Sequence, residues 1–333
     1  MLLGVNVKDF FCKFENRYGF RIVGEPIKLS GGFMHKMYAL HTTEGNFAIK
    51  LLNPFVMKRE TAMSSFAAAE KLEKMLESRK LPILPALSFD GKKMQEISGQ
   101  YFYLFNYFEG KALTGKEITC FHCKEMGDAL AAIHSTVKKK SDEPIESMQI
   151  DWDFYIRELE KSEKPLYELL YANYSLILDS QEKGNLAKKE LPQISAVCHN
   201  DMDPKNVLWR ENDYRIIDLE CLSYNNPIME LFESALCWSG YEECEINFEL
   251  FQAFIQGYKN AGGKLPVDWK VLYDCNNGRL EWLEYNIKRV LGIDCGADEK
   301  ELGRNQAAET IRHIVYYNSI REQILKKCAN III

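Results

Sequence analysis

The stretch His199-Asn200-Asp201-Met202-Asp203-Pro204-Lys205-Asn206 constrains this chain more than any other. It reads H-x-D-x-x-x-x-N, and a short apolar run ending in an acid, Ile216-Ile217-Asp218, follows after a polar gap. The step from Asp201 to Asn206 lets a tight loop turn both side chains toward one centre. Pro204 stiffens that loop, and Asp203 before it is biased toward extended backbone. Phosphoryl transfer from a nucleotide needs one carboxylate to take or orient the proton of an attacking hydroxyl. It also needs an amide oxygen and a second carboxylate to hold a divalent cation on the phosphates. Oxygen donors of this kind suit a hard ion such as Mg²⁺.

Together these residues resemble the catalytic loop and metal-binding aspartate of the aminoglycoside phosphotransferase and choline kinase family, a branch of the protein-kinase-like fold. The resemblance implies that Asp201 is the catalytic base, that Asn206 and Asp218 are Mg²⁺ ligands, and that His199 is a structural brace. Asp218 is followed by Leu219-Glu220 rather than Phe-Gly, and the Ala-Pro-Glu landmark of protein kinases is missing, which argues against a protein substrate. The expected class is α+β and protein-kinase-like. A small N-terminal lobe, residues 1–108, would hold a five-stranded antiparallel sheet and one helix. A larger, mostly helical lobe, residues 109–333, would carry the catalytic loop and bind the acceptor.

The upstream half has the pattern such a lobe needs. Residues 20–23, 27–29, 36–40 and 46–52 alternate in polarity or run apolar, with glycine-bearing turns between them, and read as strands. Gly31 and Gly32 allow a backbone to lie close over phosphates with its N–H groups facing them. Lys50, late in the last of these strands, resembles the nucleotide-binding lysine of the kinase-like fold, which reaches the phosphates and pairs with a helix glutamate. Residues 59–78 carry a helical spacing of apolar side chains and stop before Pro82. Glu70, mid-helix, is the expected partner of Lys50, with Glu60 as the fallback. Residues 83–89 and 101–108 read as two more strands joined at Asp90-Gly91. The second resembles the inter-lobe connector, where Asn106 and Phe108 would offer backbone hydrogen bonds to a nucleotide base.

After Gly110 the pattern is helical: residues 117–137, 152–178 with a second helix to about 191, 227–239, 248–259, 269–290 and 301–327. Lys138-Lys139-Lys140 suit a helix C-terminus. Glu230, Glu233, Glu281 and Glu284 are candidates for a cationic acceptor, although taken one by one each reads first as a solvated helix residue. Cys120-Phe121-His122-Cys123 lacks the second pair that a structural zinc needs, so it reads as ordinary cysteine usage.

Composition narrows the partners. A formal net charge of −6 disfavours a generic nucleic-acid binder and fits an amino-bearing acceptor. Ten cysteines scattered through apolar segments suit a reducing compartment. No apolar run reaches membrane-spanning length, and the start of the chain lacks the apolar core of a signal peptide. The sequence reading is therefore a cytoplasmic kinase using ATP or GTP with Mg²⁺, acting on a small hydroxylated molecule, with no nucleic acid, membrane or protein partner. The alternative is a catalytically weak kinase-like binding or assembly protein of the spore-coat type. The full set Lys50, Asp201, Asn206 and Asp218 favours the enzyme.

Overall fold

The structure is a computed structural model that describes residues 7–29, 35–136, 138–140, 146–264, 268–275, 277–293, 295, 299–329 and 331. In chain order its elements begin with α1 (Val7–Tyr18), β1 (Ile27–Leu29), β2 (Lys36–Thr42), β3 (Gly45–Leu51), α2 (Pro54–Met57) and α3 (Ala62–Ser78). Next come β4 (Gln95–Ile97), β5 (Gln100–Asn106), β6 (Lys111–Ala112), α4 (Cys120–His134) and β7 (Lys138–Lys140). Then follow α5 (Trp152–Ser162), α6 (Lys164–Ala172), α7 (Tyr174–Glu190), β8 (Ile194–Cys198), β9 (Val207–Arg210), β10 (Asp213–Ile216) and β11 (Ser223–Asn225). The chain closes with α8 (Pro227–Cys237), α9 (Phe248–Asn260), α10 (Trp269–Asp274), α11 (Asn277–Leu291) and α12 (Lys300–Ala329).

These elements form two compact units. One joins Met1–Lys116 to His199–Ser223, and the other joins Glu117–Cys198 to Tyr224–Ile333. The stretch carrying Asp201, Asn206 and Asp218 thus belongs with the N-terminal sheet, whereas a boundary at 108/109 had assigned it to the helical lobe. No helix among the described residues is long and apolar enough to cross a membrane.

The first unit is built on a five-stranded antiparallel sheet in the order β1-β2-β3-β5-β4. Apolar side chains alternate between its faces, as the pleat requires. Phe47, Ile49, Leu51, Phe102 and Leu104 point to one face, where Phe10, Phe11 and Phe14 of α1 cover them. Leu52 and Tyr103 lie in the cluster on the other face, with Ala62 and Phe66 of α3. The sequence reading did not include α1. Its phenylalanines at 10 and 11 lie four and three residues before Phe14, the spacings of a buried stripe on a helix.

Two strand expectations fail. Residues 20–23 make only an isolated bridge, Ile22 to Thr42. Residues 83–89 likewise make single bridges, at Ile83, Ala86 and Phe89, and the edge strand is instead β4, paired to β5 across the Ser98-Gly99 turn. Pro82 and Pro85 explain this, since neither ring nitrogen can donate to a ladder.

The second unit is mostly helical. Helices α4 and α9 touch through glycine: a Cβ on Gly127 would lie 2.1 Å from the Phe254 carbonyl oxygen, and one on Gly257 would lie 2.2 Å from that of Lys124. Gly127→Ala should therefore force the two helices apart and lower stability by about 1–3 kcal/mol, read as a fall in Tm. An unchanged Tm would mean the contact is loose. A separate core gathers Trp152, Tyr155, Leu166, Leu170, Leu283 and Ile314 from helices α5, α6, α11 and α12. The helix expected over residues 152–178 is broken at Glu163, where Pro165 opens α6, and the one expected over 269–290 is split into α10 and α11. Lys138-Lys139-Lys140 is no helix cap; α4 ends at His134, and the lysines pair with β8 as β7.

Candidate active site

Every residue of the expected phosphate and metal set that the structure describes lies in the first unit. Lys50 stands in β3 directly across from Tyr103 of β5, so the two share the face that α3 covers. Lys50 is 7 % exposed, and a buried ammonium needs partners. Its Nζ donates to Asp218 Oδ1 and to Glu220 Oε1. Burial works to lower the Lys50 pKa, but the two carboxylates outweigh it and the net shift is upward.

The catalytic loop is held from within. His199 is fully buried. Its Nδ1 accepts from the Asp201 N–H at 3.3 Å, so the proton resides on Nε2, which donates to the Ile217 carbonyl at 2.9 Å. The Ile217 N–H in turn donates to the Asn206 carbonyl at 2.9 Å. Asn206 Nδ2 donates to the Asp201 carbonyl at 2.9 Å and to Asp201 Oδ2 at 2.7 Å. Both Asn206 amide protons are thereby committed to Asp201, and Asn206 Oδ1 is the atom left to meet a cation. One hydrogen-bonded chain thus runs from Asp201 through Asn206 to the residue before Asp218, which itself holds Lys50.

Among the described residues with positive φ that are not glycine, two belong to this loop and the turn after it. Asn200 has φ 65° and Asp218 has φ 66°, both in the left-handed region. Asn and Asp tolerate it better than other side-chain-bearing residues, and such outliers gather at functional sites. The turn at Asp218 leads into Leu219–Cys221, a single 3₁₀ turn that brings Glu220 back to the same ammonium as Asp218. Asn200 Nδ2 ties the loop to this turn by donating to the Cys221 carbonyl at 2.8 Å and to Ser223 Oγ at 3.0 Å.

The carboxylates differ in character. Burial raises Asp201, with Asp203 adding to the effect and Lys205 opposing it. Burial also acts to raise Asp218, but Lys50 and a hydrogen bond from Glu220 overcome it and hold the carboxyl well below its ordinary range. Glu220 moves the other way: burial pushes it up to about 7 although Lys50 pulls it down. Oxygen donors at Asn206 and Asp218, one of them held ionised, fit Mg²⁺.

Other expected positions fare differently. Glu70 does not meet Lys50. Its Oε1 accepts from the Met94 N–H at 2.8 Å and from Tyr103 Oη–H at 3.2 Å. Tyr103, opposite Lys50 in the ladder, occupies the acid that the sequence pattern gave to the lysine. Gly31 and Gly32 lie outside the described residues. Asn106 ends β5 exposed, paired with Phe47. The Phe108 carbonyl accepts from Gly110 N–H at 2.9 Å, and its ring faces the guanidinium carbons of Arg210 at 5.0 Å and Arg215 at 5.2 Å.

Three residues escaped the sequence reading. Glu220 was visible only as the acid two places past Asp218. Lys205 donates to Asp201 Oδ1 at 3.2 Å and to Asp203 Oδ2 at 2.6 Å. His35 accepts from the Asn53 N–H at 3.0 Å through Nδ1, and its Nε2 lies 3.7 Å from Glu220 Oε1. Burial, with Lys50 nearby, lowers the His35 pKa to about 4, so the ring is neutral.

In the second unit, the acids considered for a cationic acceptor are largely committed. Glu230 is buried against His134 Nε2 at 2.8 Å, and Glu233 binds Arg279 at 2.6 and 2.8 Å. Glu284 accepts from Tyr155 at 2.7 Å and pairs with Lys288 at 2.9 Å.

Comparison with known proteins adds three kinds of likeness. A family model described as the phosphotransferase enzyme family matches residues 26–273. A homoserine kinase of Agrobacterium fabrum is 23 % identical over 242 residues, 70 % of this chain and 70 % of that protein. Among solved structures, a spectinomycin phosphotransferase in complex with ADP and spectinomycin superposes with a TM-score of 0.71 at 14 % identity, covering 93 % of this chain and 98 % of that one. An amicoumacin kinase in complex with AMP-PNP, Ca²⁺ and Ami gives 0.62 at 13 % identity over 92 % and 93 %. Choline kinase of Cryptosporidium parvum gives 0.55 at 14 % identity over 97 % and 99 %. These structures share the kinase-like fold described above.

Proposed function

This chain belongs to the phosphotransferase enzyme family, and from that premise we propose that it transfers the γ-phosphoryl group of ATP or GTP to a hydroxyl of a small, amino-bearing acceptor. The observation that carries the reading is the hydrogen-bonded chain from Asp201 through Asn206 to Asp218 and Lys50. Asp201 holds the acceptor hydroxyl and takes its proton as the new P–O bond forms and the bond from the γ-phosphorus to the bridging oxygen breaks, releasing the nucleoside diphosphate. Asn206 Oδ1 and an Asp218 oxygen would hold Mg²⁺, whose charge would offset the negative charge of the phosphates. Lys50 positions the phosphates. The backbone of residues 106–108 holds the base, and Gly31 and Gly32 are the glycines proposed to contact the phosphates. Lys205, beside Asp201, keeps that carboxylate in place and lessens the cost of its burial.

The compounds named for the similar proteins support an amine on the acceptor. Spectinomycin, amicoumacin, choline and homoserine each carry a hydroxyl and a basic or quaternary nitrogen. The net charge of −6 points the same way. The test is a nucleotide-consumption screen, with MgATP and MgGTP in parallel, against hydroxylated amines, neutral sugars and antibiotics. The expected result is consumption stimulated by one or a few amines. Stimulation by neutral sugars alone would remove the amine from the proposal.

A further inference from the structure

We propose that Glu220, not an acid of helix α3, is the residue that positions Lys50 against a bound nucleotide. The inference rests on the phosphotransfer reading above and names a positioning role within it.

Four observations lead there. First, Glu220 Oε1 accepts directly from Lys50 Nζ, and the Glu220 side chain is 11 % exposed. Second, the acids of α3 that line this region are engaged elsewhere. Glu70 serves Met94 and Tyr103, while Glu73 serves the Ala86 N–H and Lys93, each at 2.7 Å. Glu77 pairs with Lys93 as well. Third, Glu220 is itself supported. His35 Nδ1 accepts a backbone N–H, which leaves the proton on Nε2, and that nitrogen faces Glu220 Oε1. Fourth, the left-handed Asp218 and the turn after it place both carboxylates on one ammonium.

This geometry divides the labour. Asp218 is the carboxylate proposed for the cation. When its oxygens serve that ion, Lys50 keeps a partner only if a second acid stays with it, and Glu220 is the acid in place. A lysine without that partner would swing between phosphates and solvent. Outer partners of this kind commonly change affinity by about 10- to 100-fold when removed.

The test is a double-mutant cycle on the full chain with Lys50→Met and Glu220→Gln. Two quantities are read on the wild type and the three variants: Kd for MgAMP-PNP by titration calorimetry, and Tm without ligand. Glu220→Gln should weaken MgAMP-PNP binding about 10- to 100-fold in the wild-type background and add little once Lys50 is methionine. In the unliganded protein Lys50→Met leaves two partly buried carboxylates without the ammonium they share, so adding Glu220→Gln should raise Tm above that of Lys50→Met alone. Glu70→Gln should show no such coupling to Lys50. A purely structural Glu220 would lower Tm and weaken binding by the same factor in both backgrounds, and that result overturns the proposal. So would coupling of Glu70, rather than Glu220, to Lys50. A wild-type protein that fails to bind MgAMP-PNP at all would instead remove the phosphotransfer reading on which the proposal rests.

Discussion

Asp201→Asn lowers kcat by about 10²- to 10⁴-fold and leaves nucleotide affinity nearly unchanged. The substitution is close to isosteric and removes the proton acceptor. The loop should survive it. An amide oxygen can still accept from Asn206 Nδ2, which sits 2.7 Å from Asp201 Oδ2. The expected effect on stability is small or favourable for a separate reason. Burial and then Asp203 raise the Asp201 pKa against the opposing pull of Lys205. A raised carboxyl is one whose charged form the fold disfavours, so at neutral pH neutralising it does not cost stability. Steady-state kinetics with any acceptor found in the panel gives kcat, and calorimetry with MgAMP-PNP gives affinity. Unaltered turnover with intact Tm would remove Asp201 from the role of base.

Asp218→Ala abolishes stabilisation by Mg²⁺-nucleotide. A ligand at 100 times its Kd raises stability by about 2.7 kcal/mol, which a thermal scan of the wild type should show as a clear increase in Tm. The variant should show no increase with MgATP. Its fold should persist because Lys50 retains Glu220 as a partner. Omitting Mg²⁺ from the wild type should mimic most of the variant's loss. Equal shifts in variant and wild type would mean that the cation is held elsewhere.

Much of this site could be read before the structure, and the reason is locality. Asp201, Asn206 and the bracing His199 lie within one short loop, where spacing alone nearly fixes geometry. Asp218 follows after a single two-stranded turn, β9 to β10. Lys50 is marked by its place late in a strand. The partner of Lys50 was a different kind of problem. Glu70, Glu73 and Glu77 all lie on α3, and choosing among them requires helix phase, strand register and the identity of the residue opposite the lysine. Tyr103 settles the matter through a cross-strand contact made far away in sequence. The real partner comes from the turn after Asp218, where a left-handed backbone, invisible to pattern reading, redirects the chain.

The same distinction explains the fold. Periodicity marked most helices. It missed α1, whose stripe is aromatic and short, and it favoured residues 83–89 over β4 because apolar content outweighed the prolines. Lys138-Lys139-Lys140 read as a helix cap because their true partner, β8, lies more than fifty residues downstream. The side chains that choose between such alternatives are contributed by distant parts of the chain.

A crystal structure of the full chain grown with Mg²⁺ and AMP-PNP tests the central claim most directly. The account predicts a cation with Asn206 Oδ1 and an Asp218 oxygen at about 2.0–2.1 Å, Lys50 Nζ on the phosphates, and Asp201 facing the terminal phosphoryl group. Nucleotide bound on another surface, or a cation held without Asn206 and Asp218, would contradict it.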